Sequence, residues 1–166
     1  FKAEYTTKVV EYSDLTPHLE VTEAMVSGTI IKVSCLGAKS YKYLYTRVDS
    51  TEWKELLGGN YVKAGEYMIK NPDSPMIVDT ADSEHALVNG CIVLTDLTAD
   101  KEYVLVLLAM SEADMPSYAV SIHFTPIGNM NSFVYKTDAG WNLGKPELLD
   151  CEANLMGQFL SIQWHI

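Results

Sequence analysis

The chain has 166 residues, 48% of them apolar and 20% charged, with a formal charge of −10. That balance fits one ordinary globular domain with flanks and is wrong for a disordered polymer. Twelve scattered Lys and Arg against 22 Asp and Glu exclude a nucleic-acid binder and a binder of anionic lipid, because both need clustered cations.

The first residues, FKAEYTTKVV, have the character of mid-protein sequence, which leaves a leader upstream open. Residues 1–16 are expected to be the end of a preceding module plus a linker, with Phe1 to Tyr5 as its last strand. Pro17 then opens a complete domain over 17–127. Thr29 to Cys35 alternates, placing Ile31, Val33 and Cys35 on one face of a half-buried strand. Tyr41 to Val48 is aromatic-rich and strand-like.

Asp49 to Gly58 breaks the alternation and predicts a short helix. Asp49 is placed to cap its first turn, Glu52 to complete a capping box, and Gly58 to stop it. A second helical turn is expected around Ala64 to Lys70, ended by Asn71-Pro72. This insert is expected to fill the space of a short edge strand. Strands resume at Cys91–Leu97, Tyr103–Ala109 and Tyr118–Phe124, separated by turn signals at Asn89-Gly90 and Asp114-Met115-Pro116. The longest apolar run, Val104 to Met110, is strand-sized and far short of a membrane span.

Residues 128–145 read as a linker whose Phe133, Tyr135 and Trp141 are expected to rest on a module surface. Residues 146–166 echo the start of the domain. PHLEVTEAMVSGTIIKV at 17–33 and PELLDCEANLMGQFLSI at 146–162 align without a gap, sharing Pro17/Pro146, Leu19/Leu148, Glu23/Glu152, Ala24/Ala153 and Gly28/Gly157. The echo predicts a tandem array, with 146–166 as the first two strands of a following, truncated module.

Leu97-Thr-Ala-Asp-Lys-Glu-Tyr103 has the spacing of a tyrosine corner, in which a buried phenol hydrogen-bonds nearby backbone at the start of an apolar strand. The stretch resembles the Leu-x-Pro-x-Thr-x-Tyr pattern of the fibronectin type III module, with Ala99 and Lys101 in place of the Pro and Thr. That family carries a Trp on its second strand. Cys35 takes the place in the central module, and Trp164 supplies it in the partial repeat. The resemblance covers about 17–126 and implies an all-β, antiparallel Greek-key sandwich, here with a short helical insert. The strands, insert and acidity are similar to type III-like modules of Bacteroidota surface lipoproteins. That likeness implies export to the periplasm or cell surface, and company with glycan-handling proteins. It also makes Asp49-Ser50-Thr51 and Asp79-Thr80-Ala81 candidate O-glycosylation sites, at Ser50 and Thr80.

Catalytic chemistry needs converging polar groups. His18, His85, His123 and His165 lie far apart, and His123 alternates with Val120, Ile122 and Phe124, so it is expected to face solvent or a neighbouring module. The sequence holds no nucleophile elbow, phosphate loop or His-Glu-x-x-His zinc motif. Asp73, Asp79, Asp82 and Glu84 form an acidic segment without the spacing of a calcium loop, and a solvated loop is the expectation. Cys35, Cys91 and Cys151 form no metal spacing and are expected to be reduced. No catalytic residue, metal or cofactor is expected.

Trp53, Tyr61 and Tyr67 are the candidate ligand-binding rings, as a platform for a glycan. The competing expectation is that Trp53, with Leu56 and Leu57 at helical spacing, seals the insert onto the sandwich. The function expected first is a non-catalytic spacer, scaffold or protein-contact module of an exported multidomain protein. Its partners would be other modules of the same or a neighbouring chain. A carbohydrate-binding module is the second expectation, and an adhesin or fibre subunit using strand complementation the third.

Overall fold

A computed structural model describes residues 9–128, which up to Ile127 belong to one unit of the chain. Seven strands and one α-helix follow in order. They are β1 (His18–Met25), β2 (Gly28–Ser34), β3 (Ser40–Arg47), α1 (Tyr61–Lys70), β4 (Val78–Asp79), β5 (Cys91–Leu94), β6 (Tyr103–Met110) and β7 (Val120–Phe124). A π-helical turn, Glu52–Leu56, precedes α1, and a 3₁₀ turn, Ser83–His85, precedes β5.

The strands make two antiparallel sheets, ordered β1-β2-β5 and β4-β3-β6-β7. Alternation explains how they meet. Ile31, Val33, Ile92 and Leu94 from the three-stranded sheet pack against Tyr43, Tyr103, Leu105, Leu107 and Phe124 from the four-stranded one. Face-to-face burial of such alternate residues is the sandwich solution for strands with one apolar face. One edge is stitched beyond β7, where Ile127 N–H donates to Met25 O at 3.0 Å and Ser27 N–H donates to Ile127 O at 3.0 Å. β1 carries a bulge between Val21 and Glu23, a device that bends an edge strand away from further pairing.

β6 departs from alternation, because all residues from Tyr103 to Ala109 are buried. Its second face has a cover of its own. Val104, Val106 and Leu108, with Leu44 of β3, meet Trp53, Leu57, Ala64 and Met68 in a second apolar core. The helical insert is therefore a third layer on the outer face of the four-stranded sheet. It does not replace the edge strand; β4, two residues long, follows it and pairs with Lys42 and Tyr43.

Two details of the insert differ from the sequence-based expectation. Asp49 does not cap the first turn, because the Arg47 guanidinium holds its carboxylate through Nε to Oδ1 at 2.8 Å and Nη2 to Oδ2 at 2.7 Å. Ser50 takes the capping role, its Oγ accepting from Trp53 N–H at 3.1 Å. The second helical piece is a full ten-residue helix rather than a turn, started by Asn60, whose Oδ1 accepts from Val62 N–H at 2.7 Å. Between the two, Gly58 and Gly59 both have positive φ, +65° and +62°, conformations that glycine adopts without strain.

α1 lies close to the sheet because of Gly65. A Cβ built there would come within 2.6 Å of Ala119 Cβ, so the bare backbone sets the helix-to-strand separation. Residues 12 and 13, expected in a linker, hold to this unit: Ser13 N–H donates to Pro116 O at 2.8 Å, and the Tyr12 ring stacks on Tyr118. The expectations for residues 1–8 and 129–166, including the repeat, Cys151 and Trp164, lie outside the described residues.

Candidate functional site

The ring platform expected from sequence does not assemble. Trp53 is only 6% exposed and belongs to the core beneath the insert, so its faces are covered by aliphatic side chains. Tyr67 is half-buried against the same core, and its hydroxyl shares a 3.0 Å hydrogen bond with Ser74 Oγ. Tyr61 stands apart from both, 44% exposed in the first turn of α1. The sealing role for Trp53 is the one its packing fits.

Tyr61 has different aromatic company. It lines a notch of about 170 Å³ together with Tyr12, Tyr118, Val62, Glu66 and Ile69. The Tyr12 and Tyr118 rings stack at 4.4 Å between centroids, 8° from parallel. Tyr118 is 69% exposed. Its backbone is nonetheless fixed, since Ser117 N–H donates to Ala109 O at 2.8 Å and Ser117 Oγ donates to Tyr118 O at 2.9 Å. No local sequence signal could have paired Tyr12 with Tyr118. They come together because the segment before β1 runs along the loop between β6 and β7.

The corner residues lie at the opposite end of the sandwich. Tyr103 Oη accepts from Thr98 N–H at 2.9 Å, and its ring stacks with Phe124 at 5.6 Å. Leu97 is buried beside it and donates its N–H to Ser27 O at 2.9 Å, tying the corner to the other sheet. Nearby, an open groove of about 990 Å³ runs between the sheet edges, with Tyr45, Arg47, Asp49, His85 and Asp96 among its lining. Asp49 is engaged there by Arg47, whose hydrogen bonds hold its carboxyl below the usual range.

The acidic segment serves its own turns. Asp79 Oδ1 accepts from Ala81 N–H at 2.9 Å, and Asp82 Oδ1 accepts from Glu84 N–H at 3.0 Å. That backbone bond, helped by His85 at 3.4 Å, lowers the Asp82 pKa. Asp82, Glu84 and His85 are close enough to share an ion, yet all are exposed and the turn geometry accounts for them.

Ser50 and Thr80 are half-buried and occupied. Besides capping Trp53, Ser50 Oγ shares a 2.9 Å bond with Thr46 Oγ1, while Thr80 Oγ1 accepts from Tyr41 N–H at 2.8 Å. Both hydroxyls are committed internally, which counts against either as a glycan acceptor in the folded chain. Cys35 and Cys91 form no disulfide among the described residues, and burial pushes the Cys35 thiol up. Cys35 follows the last residue of β2 in a turn and is only half-buried, so it does not fill the volume a core Trp would. His123 is exposed on β7, its Nδ1 2.8 Å from Glu102 Oε1.

Comparison with known family models and with curated proteins finds no match for the chain.

Proposed function

We propose that this unit is a non-catalytic module of the fibronectin type III kind, serving as a spacer, scaffold or protein-contact element in an exported multidomain protein. The observation that carries the reading is the Tyr103 corner, closed on Thr98 N–H, within a frame of two antiparallel sheets. The chain crosses between the sheets after β2, after β4 and again after β5, which is compatible with the Greek-key path that the reading implies. The likeness of the strands, the insert and the acidity to type III-like modules of Bacteroidota surface lipoproteins supports the rest of the reading: a surface lipoprotein context, and periplasmic or cell-surface residence.

Several polar groups of the unit are spent on architecture, which supports a non-catalytic role. Arg47 with Asp49, Asp82 with the turn at Glu84, and His123 with Glu102 are each paired at the surface. A hydrolase activity that vanished on a single substitution within 17–126 would refute the proposal. The carbohydrate reading loses its platform with the burial of Trp53. The strand-complementation reading rests on 146–166, outside the described residues.

A further inference from the structure

We infer that the notch between α1 and the β6–β7 loop is a docking site for an arginine side chain of a basic partner segment. The inference deepens the protein-contact part of the reading above and rests on it. Size narrows the occupant first. The notch is about 170 Å³, below the roughly 300 Å³ at which small-molecule pockets begin, so it takes a single side chain rather than a cofactor or a glycan chain.

Chemistry narrows it further. Tyr12 and Tyr118 already form a parallel stack, and most of the Tyr118 surface is open to solvent. A planar guanidinium extends such a stack, whereas an ammonium has no flat face to offer. Val62 and Ile69 give an apolar wall for the methylene stem. Glu66, which also lines the notch, provides a carboxylate for the guanidinium, and no ion pair among the described residues engages it. Among the described residues no Lys or Arg lines the notch, and the chain carries −10 overall, so both the local and the long-range field favour a cationic partner.

Preorganisation adds to the case. Ser13 N–H on Pro116 O and the two bonds at Ser117 hold both tyrosine backbones in place before anything binds. Tyr118, held rigid on a half-buried Tyr12 yet 69% exposed, offers a preorganised face for an arginine, and Tyr and Arg are both enriched in interface hot spots.

The test is an NMR titration of the full chain with two peptides of equal charge, Gly-Arg-Gly-Arg-Gly and Gly-Lys-Gly-Lys-Gly. The arginine peptide should shift the Tyr61, Tyr118 and Glu66 resonances and bind about fivefold more tightly than the lysine peptide, the scale of an exposed cation–π contact. Tyr118→Ala should abolish that preference. Glu66→Gln, on an exposed helix position, should weaken arginine-peptide binding with the fold intact. Equal affinity for the two peptides, an absence of shifts at the notch, or a preference that survives Tyr118→Ala would each overturn the inference. So would a neutral oligosaccharide that shifts the same resonances without competition from the arginine peptide. The peptide outcomes leave the spacer reading standing, since it falls on hydrolase activity, whereas oligosaccharide binding at the notch would favour the carbohydrate-binding reading over it.

Discussion

Gly65→Ala reverses the ordinary effect of its substitution. In an exposed helix interior, replacing Gly by Ala gains about 1 kcal/mol through backbone entropy. Gly65 is buried in the middle of α1, and its new Cβ would lie 2.6 Å from Ala119 Cβ. Carbon atoms rest at about 3.5–4.0 Å, so the methyl intrudes by about 1 Å on an atom tied to backbone. Neither partner can rotate away, and the next neighbour, Leu108 Cδ2 at 3.7 Å, limits sideways relief. Overpacking of this kind costs about 1–3 kcal/mol. Set against the helix gain, the expected net loss is about 1 kcal/mol. Urea denaturation should show it as a lower midpoint at unchanged slope. The sharper test is the swap. Gly65→Ala with Ala119→Gly moves one methyl across the same gap, and the cycle should give a favourable coupling of about 1–2 kcal/mol. A raised midpoint for Gly65→Ala alone, or strictly additive effects in the cycle, would refute the claim that backbone proximity sets the helix on the sheet.

Three further outcomes follow from the packing and the ion pairs. Tyr103→Phe keeps the ring in the core but strands the Thr98 N–H, so stability should fall by about 1–3 kcal/mol in the same urea assay; a change within experimental error would contradict a closed corner. Trp53→Ala should cost about 3–5 kcal/mol by emptying the second core. A glycan-binding loss without that destabilisation would restore Trp53 as a ligand contact. Arg47→Gln should raise the Asp49 carboxyl pKa measured by NMR, because Arg47 is the largest cause of its depression. With the folded value below the unfolded one, this pair adds stability that is complete above the unfolded pKa and fades as pH falls through the folded one. An unmoved Asp49 titration in the variant would refute the assignment.

Most of the strand framework was legible because alternation is a local code. β2, β3 and β6 each lie within a residue of their expected bounds, and Tyr103 stands where the corner spacing put it. The third layer had a signal that alternation hides: a strand buried on one face alternates, and Val104 to Met110 does not. Its unbroken apolar run required a cover on both sides, and Trp53, Leu57 and Met68 provide the outer one. The capping roles at Asp49 and Ser50 were interchanged because both residue types cap helices, and only the nearby Arg47 decides between them. Tyr12 and Tyr118 were beyond any sequence window. Their stacking depends on the path of the segment before β1, which only tertiary structure determines.

The stitch at Ile127 has a mechanical consequence. The chain enters β1 at His18 and leaves beside Met25 and Ser27, at the other end of the same strand. Eight residues of strand span roughly 25 Å, so the two attachment points sit at opposite poles of the unit. Val26 and Ile127 meet in parallel orientation. Tension applied between the poles therefore draws β1 and the segment after β7 in opposite directions along their shared edge. The bonds from Ile127 to Met25 and from Ser27 to Ile127 are then loaded together in shear instead of being peeled one at a time, the geometry in which a short strand contact carries the most force.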